Sequence, residues 1–444
     1  MMKKLLFLTI CLVLVVSVGA NAQWKFAKYF PDTTTIKLWP SGINNGIAVD
    51  PAGKIWIQSY AYASGVDSVG TVKVGVINVY NANGTLYSGI ASPIKILSGK
   101  DEKGVAVIDT LAGSGYGLMA DAQTGNILSI KPSARIWKID YKTGKGIVRN
   151  LAPIPGYTSS LGTPMSDKYG EVFIAPVVPG NAVGILNSDF TAAGTVLNVT
   201  AGYARCIAVS SDGNDVYVPG FDTKLVYIYH SDNGSLGPYV KKDSVLKGLA
   251  IESMTWQPKT GYLWVTSGNI TSGMPDAPYV GYRWYGFNVT TKKVVDSIAL
   301  YDPMIPMYGT DPRPRGIAFT ANGDTAYTAC FNGTMPSWVQ VYTKSTTYVE
   351  PVKGVVPTDY TLSQNYPNPF NPSTQISFSI IRSGATTLKV YDLMGREVST
   401  LVNETLAPGA YSVKFDATKL SSGTYVYVLT SGGMRLTNKM MLLK

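Results

Sequence analysis

One phrase recurs six times along the chain: a small residue, a short apolar strand, a turn built on Asp, Asn or Gly, then a strand rich in Trp, Tyr and Val. The copies begin at Gly46, Gly117, Gly162, Cys206, Ser253 and Gly316. The first reads Gly46-Ile47-Ala48-Val49-Asp50-Pro51-Ala52-Gly53-Lys54-Ile55-Trp56-Ile57. Most copies are followed by a third strand, as in Arg135-Ile136-Trp137-Lys138-Ile139 and Leu225-Val226-Tyr227-Ile228-Tyr229. The middle copies lie about 45 residues apart. A unit of that length with about four strands cannot bury both faces of its own sheet, so neighbouring units must stack. The architecture predicted for 23–350 is therefore a closed ring of sheets, a β-propeller. Six copies predict six blades, and the longer gap between the first two leaves room for a seventh. The strand Trp24-Lys25-Phe26-Ala27-Lys28-Tyr29-Phe30, ahead of the first copy, is placed to close the ring by pairing into the last blade.

Composition agrees with an all-β chain. Among 444 residues there are 45 Gly, 26 Pro and 29 Tyr, and no long amphipathic helical period follows residue 22. With 45% hydrophobic and 15% charged residues, the chain is built to pack. The formal charge of +10 is spread out, with no run of five or six basic residues, so there is no footprint for nucleic acid. Cys206 and Cys330 fall in strands of non-neighbouring blades and read as two buried thiols. The fourth copy, with Val216-Tyr217-Val218, resembles the YVTN family of propeller repeats, and the first resembles NHL and gluconolactonase-like blades.

Both ends carry addresses. Lys3 and Lys4, the apolar run 5–18 and Ala20-Asn21-Ala22 form a secretory leader, with cleavage after Ala22. The apolar run is shorter than the roughly twenty residues a bilayer span needs. Near the other end, 351–357 reads as a linker, and 358–444 holds short alternating strands that fit an immunoglobulin-like sandwich. This module begins with Asn365-Tyr366-Pro367-Asn368-Pro369-Phe370-Asn371-Pro372, whose prolines fix φ and remove donors, demanding an ordered extended lead into the next strand. That string, the hairpin with Gly395 and Arg396, the strands opening at Gly409 and at Gly423 with Tyr425, and the tail from Lys439 to Lys444 resemble the type A sorting domain of type IX secretion cargo. The resemblance implies passage through the outer membrane by the type IX machinery, removal of the domain by its sortase near the linker, and attachment to surface lipopolysaccharide in many cargoes.

The ring offers little catalytic chemistry. His230 is the one histidine, so a Ser-His-Asp site would have to use it and multi-histidine metal sites are excluded. Its place before the turn Ser231-Asp232-Asn233-Gly234 suggests a solvated loop residue. Asp212-Gly213-Asn214-Asp215 lacks the later bidentate Glu of a calcium loop and reads as a hairpin turn. Propeller ligands bind where the innermost strands begin, which here brings Asn45, Tyr116, Tyr203, Arg205, Glu252, Arg313 and Arg315 to a channel mouth. Guanidinium groups beside tyrosine rings suit an acidic sugar or a protein ligand. A lactonase- or lyase-like enzyme is the alternative; it would need Ca²⁺ on oxygen ligands, and of the four Glu in 23–356 only Glu252 is well placed. A structural extracellular matrix protein is the third reading. No catalytic or metal-binding residue is assigned, and no cofactor is required.

Overall fold

The computed structural model describes residues 24–31, 44–59, 68–69, 72–111, 117–131, 135–150, 161–198, 200, 202–266, 279, 281–301, 313–331, 339–344, 349–351, 357–406, 408–418 and 420–444. The leader, Tyr116 and most of the linker lie outside them, and of Asn45 and Arg313 only the backbone is described. The described residues are all-β apart from one turn of 3₁₀ helix at Gly234–Leu236. They divide into two compact units, Trp24–Lys344 and Ser345–Lys444.

Six sheets of three or more strands follow one another along the first unit, beside a small hairpin of Ser68–Val69 and Val72–Lys73. The first holds Asn44–Val49, Ile55–Ser59 and Ile77–Tyr80. The second runs Leu118–Ala120, Ile127–Lys131, Arg135–Ile139, Gly146–Arg149. Its outer strand is extended by the hairpin Ile96–Asp101 and Ala106–Thr110, which joins in parallel. The hairpin occupies the long gap between the first two repeats. The third sheet is Met165–Ser166, Val172–Ile174, Val183–Leu186, Ala192–Leu197. The fourth is Ala208–Val209, Asp215–Gly220, Leu225–His230, Val240–Val245. The fifth is Met254–Trp256, Leu263–Thr266, Arg283–Asn288, Lys293–Ala299. Arg313–Phe319, Thr325–Phe331 and Val339–Lys344 make the sixth, which takes Trp24–Phe30 as its antiparallel fourth strand.

Side chains alternate across each strand, so every sheet has two faces to bury. Trp56 and Val79 of the first sheet pack on Leu118, Ile127 and Trp137 of the second, while Ile55 and Ile57 turn the other way onto Tyr327 and Val341 of the sixth. Leu128 and Ile130 meet Val172 and Ile174 between the second and third sheets. A continuous core joins the third, fourth and fifth through Phe173, Val216, Val226, Leu263 and Tyr285. Trp264 and Trp284 then meet Trp24 and Phe319 of the sixth. The sixth sheet covers the face of the first that the second leaves bare. Cys206 and Cys330 are both buried thiols.

The repeat's turns explain its spelling. Asp50 Oδ1 accepts the N–H groups of Ala52 and Lys54, each at 2.9 Å, and Gly53 takes φ +76°. This side chain closes the hairpin and leaves the left-handed position to glycine. Asp50 Oδ2 accepts the indole N–H of Trp56 at 2.8 Å, so the buried ring keeps its polar atom satisfied. In the fourth sheet the Asp212–Asp215 segment is such a turn: Gly213 N–H donates to Ser210 O and Asn214 N–H to Asp212 Oδ1.

The second unit is two four-stranded antiparallel sheets. One is ordered Val349–Pro351, Gly409–Asp416, Ser373–Ile380, Thr361–Leu362; the other Glu397–Leu406, Gly384–Tyr391, Gly423–Ser431, Met434–Leu442. Between them lie Phe370, Ile376, Phe378, Leu388, Val390, Val413, Phe415, Tyr427 and Leu442. Val349–Pro351, which the sequence places at the end of the first unit and the start of the linker, pairs here with Tyr411–Val413.

Candidate functional site

The innermost strands crowd together. A Cβ on Gly46 would stand 2.6 Å from Leu118 N, and one on Gly162 2.5 Å from the Arg205 carbonyl carbon. The small residue that opens the repeat is thus demanded by close approach of neighbouring backbones. Thr163 N–H donates to Arg205 O at 3.0 Å, and Met119 Sδ of the second sheet lies 3.9 Å from Thr255 Oγ1 of the fifth.

Three residues of the proposed rim meet at one point. Arg205 leads into the inner strand of the fourth sheet, Glu252 into that of the fifth, and Arg315 lies in that of the sixth. Arg205 Nη1 donates to Glu252 Oε2 at 2.9 Å, and Arg315 Nη1 contacts the same oxygen. Side-chain exposure grades outward: 0% for Glu252, 9% for Arg315 and 32% for Arg205. A carboxylate this deep is tolerable only with cationic partners. Two guanidinium groups converge on the one carboxylate oxygen, and Arg205 is the one that reaches the surface.

The frame around the cluster is polar and fixed. Glu252 N–H and Ser253 N–H both donate to Thr266 Oγ1, at 2.9 and 3.0 Å. Ser253 Oγ and Trp284 Nε1 donate to the Arg315 carbonyl, each at 2.9 Å. Arg205 Cζ stacks 4.5 Å from the centroid of Phe221. Tyr203 is exposed, with its N–H held by Asp222 Oδ1 at 3.0 Å. Burial pushes the Cys206 thiol far up, against the opposing pull of Arg315 and Arg205, so this cysteine is inert. Sequence reasoning finds the two arginines and the glutamate but misses Phe221, Thr266 and Trp284. None of these has a spacing signal, because Phe221 comes from a turn and Thr266 and Trp284 from two different strands.

His230 ends the strand Leu225–His230 rather than standing in the following loop, and its side chain is partly exposed. Its Nδ1 is 2.7 Å from Asp215 Oδ1 and its Nε2 3.1 Å from Asp232 Oδ1. Those hydrogen bonds, Asp215 first, raise the imidazole above its usual range. Both nitrogens are engaged by carboxylates, which leaves neither for activating a serine.

In the second unit the proline-rich string is a built structure. Asn365 is buried, and its Nδ2 donates to Pro367 O at 3.0 Å and to Thr374 Oγ1 at 2.9 Å. Its N–H donates to Tyr427 Oη, which in turn donates to Ser363 O. Phe370 enters the core, and Asn368 Oδ1 accepts Met441 N–H at 2.9 Å. Asn371 is exposed, while Pro372 O accepts Ala417 N–H at 2.9 Å. Gly395 takes φ +77° in a turn closed by Asp392, whose Oδ2 pairs with Arg396 Nε at 2.8 Å. Tyr425 Oη donates to Ser421 O, Lys439 O accepts from Gln364 Nε2, and Lys444 Nζ donates to Thr418 O. Tyr366, by contrast, is 82% exposed.

An all-β chain ending in a self-contained two-sheet unit with these motif contacts is the class the fold defines. Residues 364–443 match the family model described as secretion system C-terminal sorting domain. The match supports export by type IX secretion to the cell surface or the extracellular space, and contact with that machinery. No curated protein matches the chain. Among the described residues no helix is long and apolar enough to cross a membrane.

Proposed function

We propose that residues 24–344 form a six-bladed β-propeller that acts outside the cell as a binding module. The C-terminal unit, an immunoglobulin-like sandwich in this reading, delivers it and is removed by the sortase near the linker 351–357, with surface lipopolysaccharide as the acceptor of the trimmed chain. The blade count is supported by six successive sheets, the N-terminal strand completing the sixth. The likeness to YVTN and NHL blades belongs to the same proposal.

The observation that carries the binding role is the Arg205–Glu252–Arg315 cluster. It sets a partly exposed guanidinium group where three inner strands begin, with Tyr203 and Phe221 beside it as apolar platforms. Such a site suits a carboxylated or sulfated sugar or an acidic protein segment. The test is calorimetric titration of the mature chain with a panel of uronate and sulfated oligosaccharides. Arg205→Ala is expected to weaken the tightest binder by about tenfold or more, with the far-ultraviolet spectrum unchanged. Equal affinity in wild type and variant would remove the reading. The metal-dependent lactonase or lyase gains no support: the carboxylate it would use is already neutralised by two guanidinium groups, chemistry that repels a dication.

A further inference from the structure

Two of the repeat's turns can be laid over one another residue for residue. Val49-Asp50-Pro51-Ala52-Gly53-Lys54-Ile55-Trp56 in the first sheet corresponds to Ser166-Asp167-Lys168-Tyr169-Gly170-Glu171-Val172-Phe173 in the third. The registers agree, Ala48 facing Trp56 and Met165 facing Phe173. Asp167 Oδ1 accepts the N–H groups of Tyr169 and Glu171, at 2.9 and 3.1 Å, as Asp50 Oδ1 accepts those of Ala52 and Lys54. The two turns then part ways. Where Trp56 donates to Asp50 Oδ2, Phe173 has no donor, and Asp167 Oδ2 is buried without a hydrogen-bond partner. Where the first turn has Lys54, whose Nζ donates to Asn81 Oδ1 at 2.8 Å, the third has Glu171, whose carboxylate adds to the effect of burial on Asp167.

Asp167 is 1% exposed and lies at the junction of the third and fourth sheets. Its Oδ2 would sit 2.9 Å from a Cβ on Gly213, so the oxygen packs directly on the opposing turn. Lys168 N–H donates across the junction to Ser211 O at 3.0 Å, and Tyr239 Oη donates to Gly213 O at 2.6 Å. The charged and titratable groups around Asp167 are Glu171 and Lys168 from its own turn, and Asp212 and Tyr239 from the fourth sheet. The turn of the second sheet contributes Gln123 and the Ala122 N–H, which are uncharged. Lys168 stacks 4.9 Å from the Tyr169 ring and acts on Asp212.

We propose that this turn is a proton-operated latch: the buried Asp167 carboxyl is protonated while the turn is closed on Gly213, and release of that proton to solvent loosens the third sheet from the fourth. Burial, with the Glu171 carboxylate adding to it, lifts Asp167 to about 6. A carboxyl whose value is raised on folding favours the closed form fully below its unfolded value and withdraws that support as pH rises through its folded one. The latch is therefore shut in mildly acid medium and eased at neutral and alkaline pH.

Hydrogen exchange of the mature chain reads the latch at the amide that crosses it, in peptides covering 165–174. Once the intrinsic pH dependence of exchange is divided out, protection in wild type is expected to fall by about tenfold or more between pH 5 and pH 8. Glu171→Lys and Phe173→Trp each restore what the first sheet has at that position. Each is expected to hold protection nearly constant over the same range. Glu171 is only half-buried, so its lysine variant folds even if the larger indole does not fit. Constant protection in wild type, or an equal fall in wild type and Glu171→Lys, would overturn the proposal.

Discussion

The indole N–H of Trp24 donates to Asp296 Oδ2 at 3.1 Å, tying residues 272 positions apart. Trp24 belongs to the strand that completes the sixth sheet, and Asp296 to the outer strand of the fifth. Lys344 Nζ reaches the same oxygen at 2.9 Å. Trp24→Ala should therefore cost about 3–5 kcal/mol, through lost burial beside Trp264 and Phe319. Urea denaturation of the mature chain measures it. A change below about 0.5 kcal/mol would mean that the N-terminal strand is dispensable.

The two arginines on Glu252 should behave differently. Arg315→Ala removes the more deeply buried partner and leaves Glu252 only the partly exposed Arg205, at a cost of about 3–5 kcal/mol in stability. Arg205→Ala, at the exposed end of the cluster, is expected to cost less stability and more ligand affinity. Parallel denaturation and titration of both variants separate the two roles.

His230 gives one imidazole signal in the whole chain, which makes its titration easy to follow. Asp215 and Asp232 raise its pKa, so the stability it contributes is full below about 6.5 and is lost as pH climbs through the higher folded value. Asp215→Asn should bring the midpoint back down. A proton NMR titration that leaves it unmoved would refute the assignment of Asp215 as the main cause.

In the C-terminal unit, Asn365→Ala deletes two donated hydrogen bonds from a buried side chain and should cost about 1–3 kcal/mol. Tyr366→Ala should change stability by less than about 0.5 kcal/mol, because its ring is exposed. If export falls in the tyrosine variant while its thermal unfolding stays put, that ring serves recognition rather than folding.

The repeated sheets were legible because their signals are local. Asp50, Gly53 and Trp56 lie within seven positions of one another, and each does its work inside one hairpin. The strand Trp24–Phe30 could be assigned from its place ahead of the first repeat, and it pairs with Val339–Lys344. The hairpin Ile96–Asp101 with Ala106–Thr110 could not be: it sits in the gap that also suggested a seventh blade, and it joins the second sheet in parallel through a contact no local pattern announces. Arg205 and Glu252 could each be placed at a strand start. Their pairing, 47 residues apart, depends on how successive sheets turn against one another, and sequence periodicity does not encode that rotation. The pairing of Val349–Pro351 with Tyr411–Val413 was hidden because three residues carry too little alternation to mark a strand.

Trp24 and Lys344 are register partners. The first unit therefore begins and ends on neighbouring strands of one sheet. Chain lost before Trp24 or after Lys344 would leave that pair of strands whole, so the seam they form is built entirely from residues inside the unit.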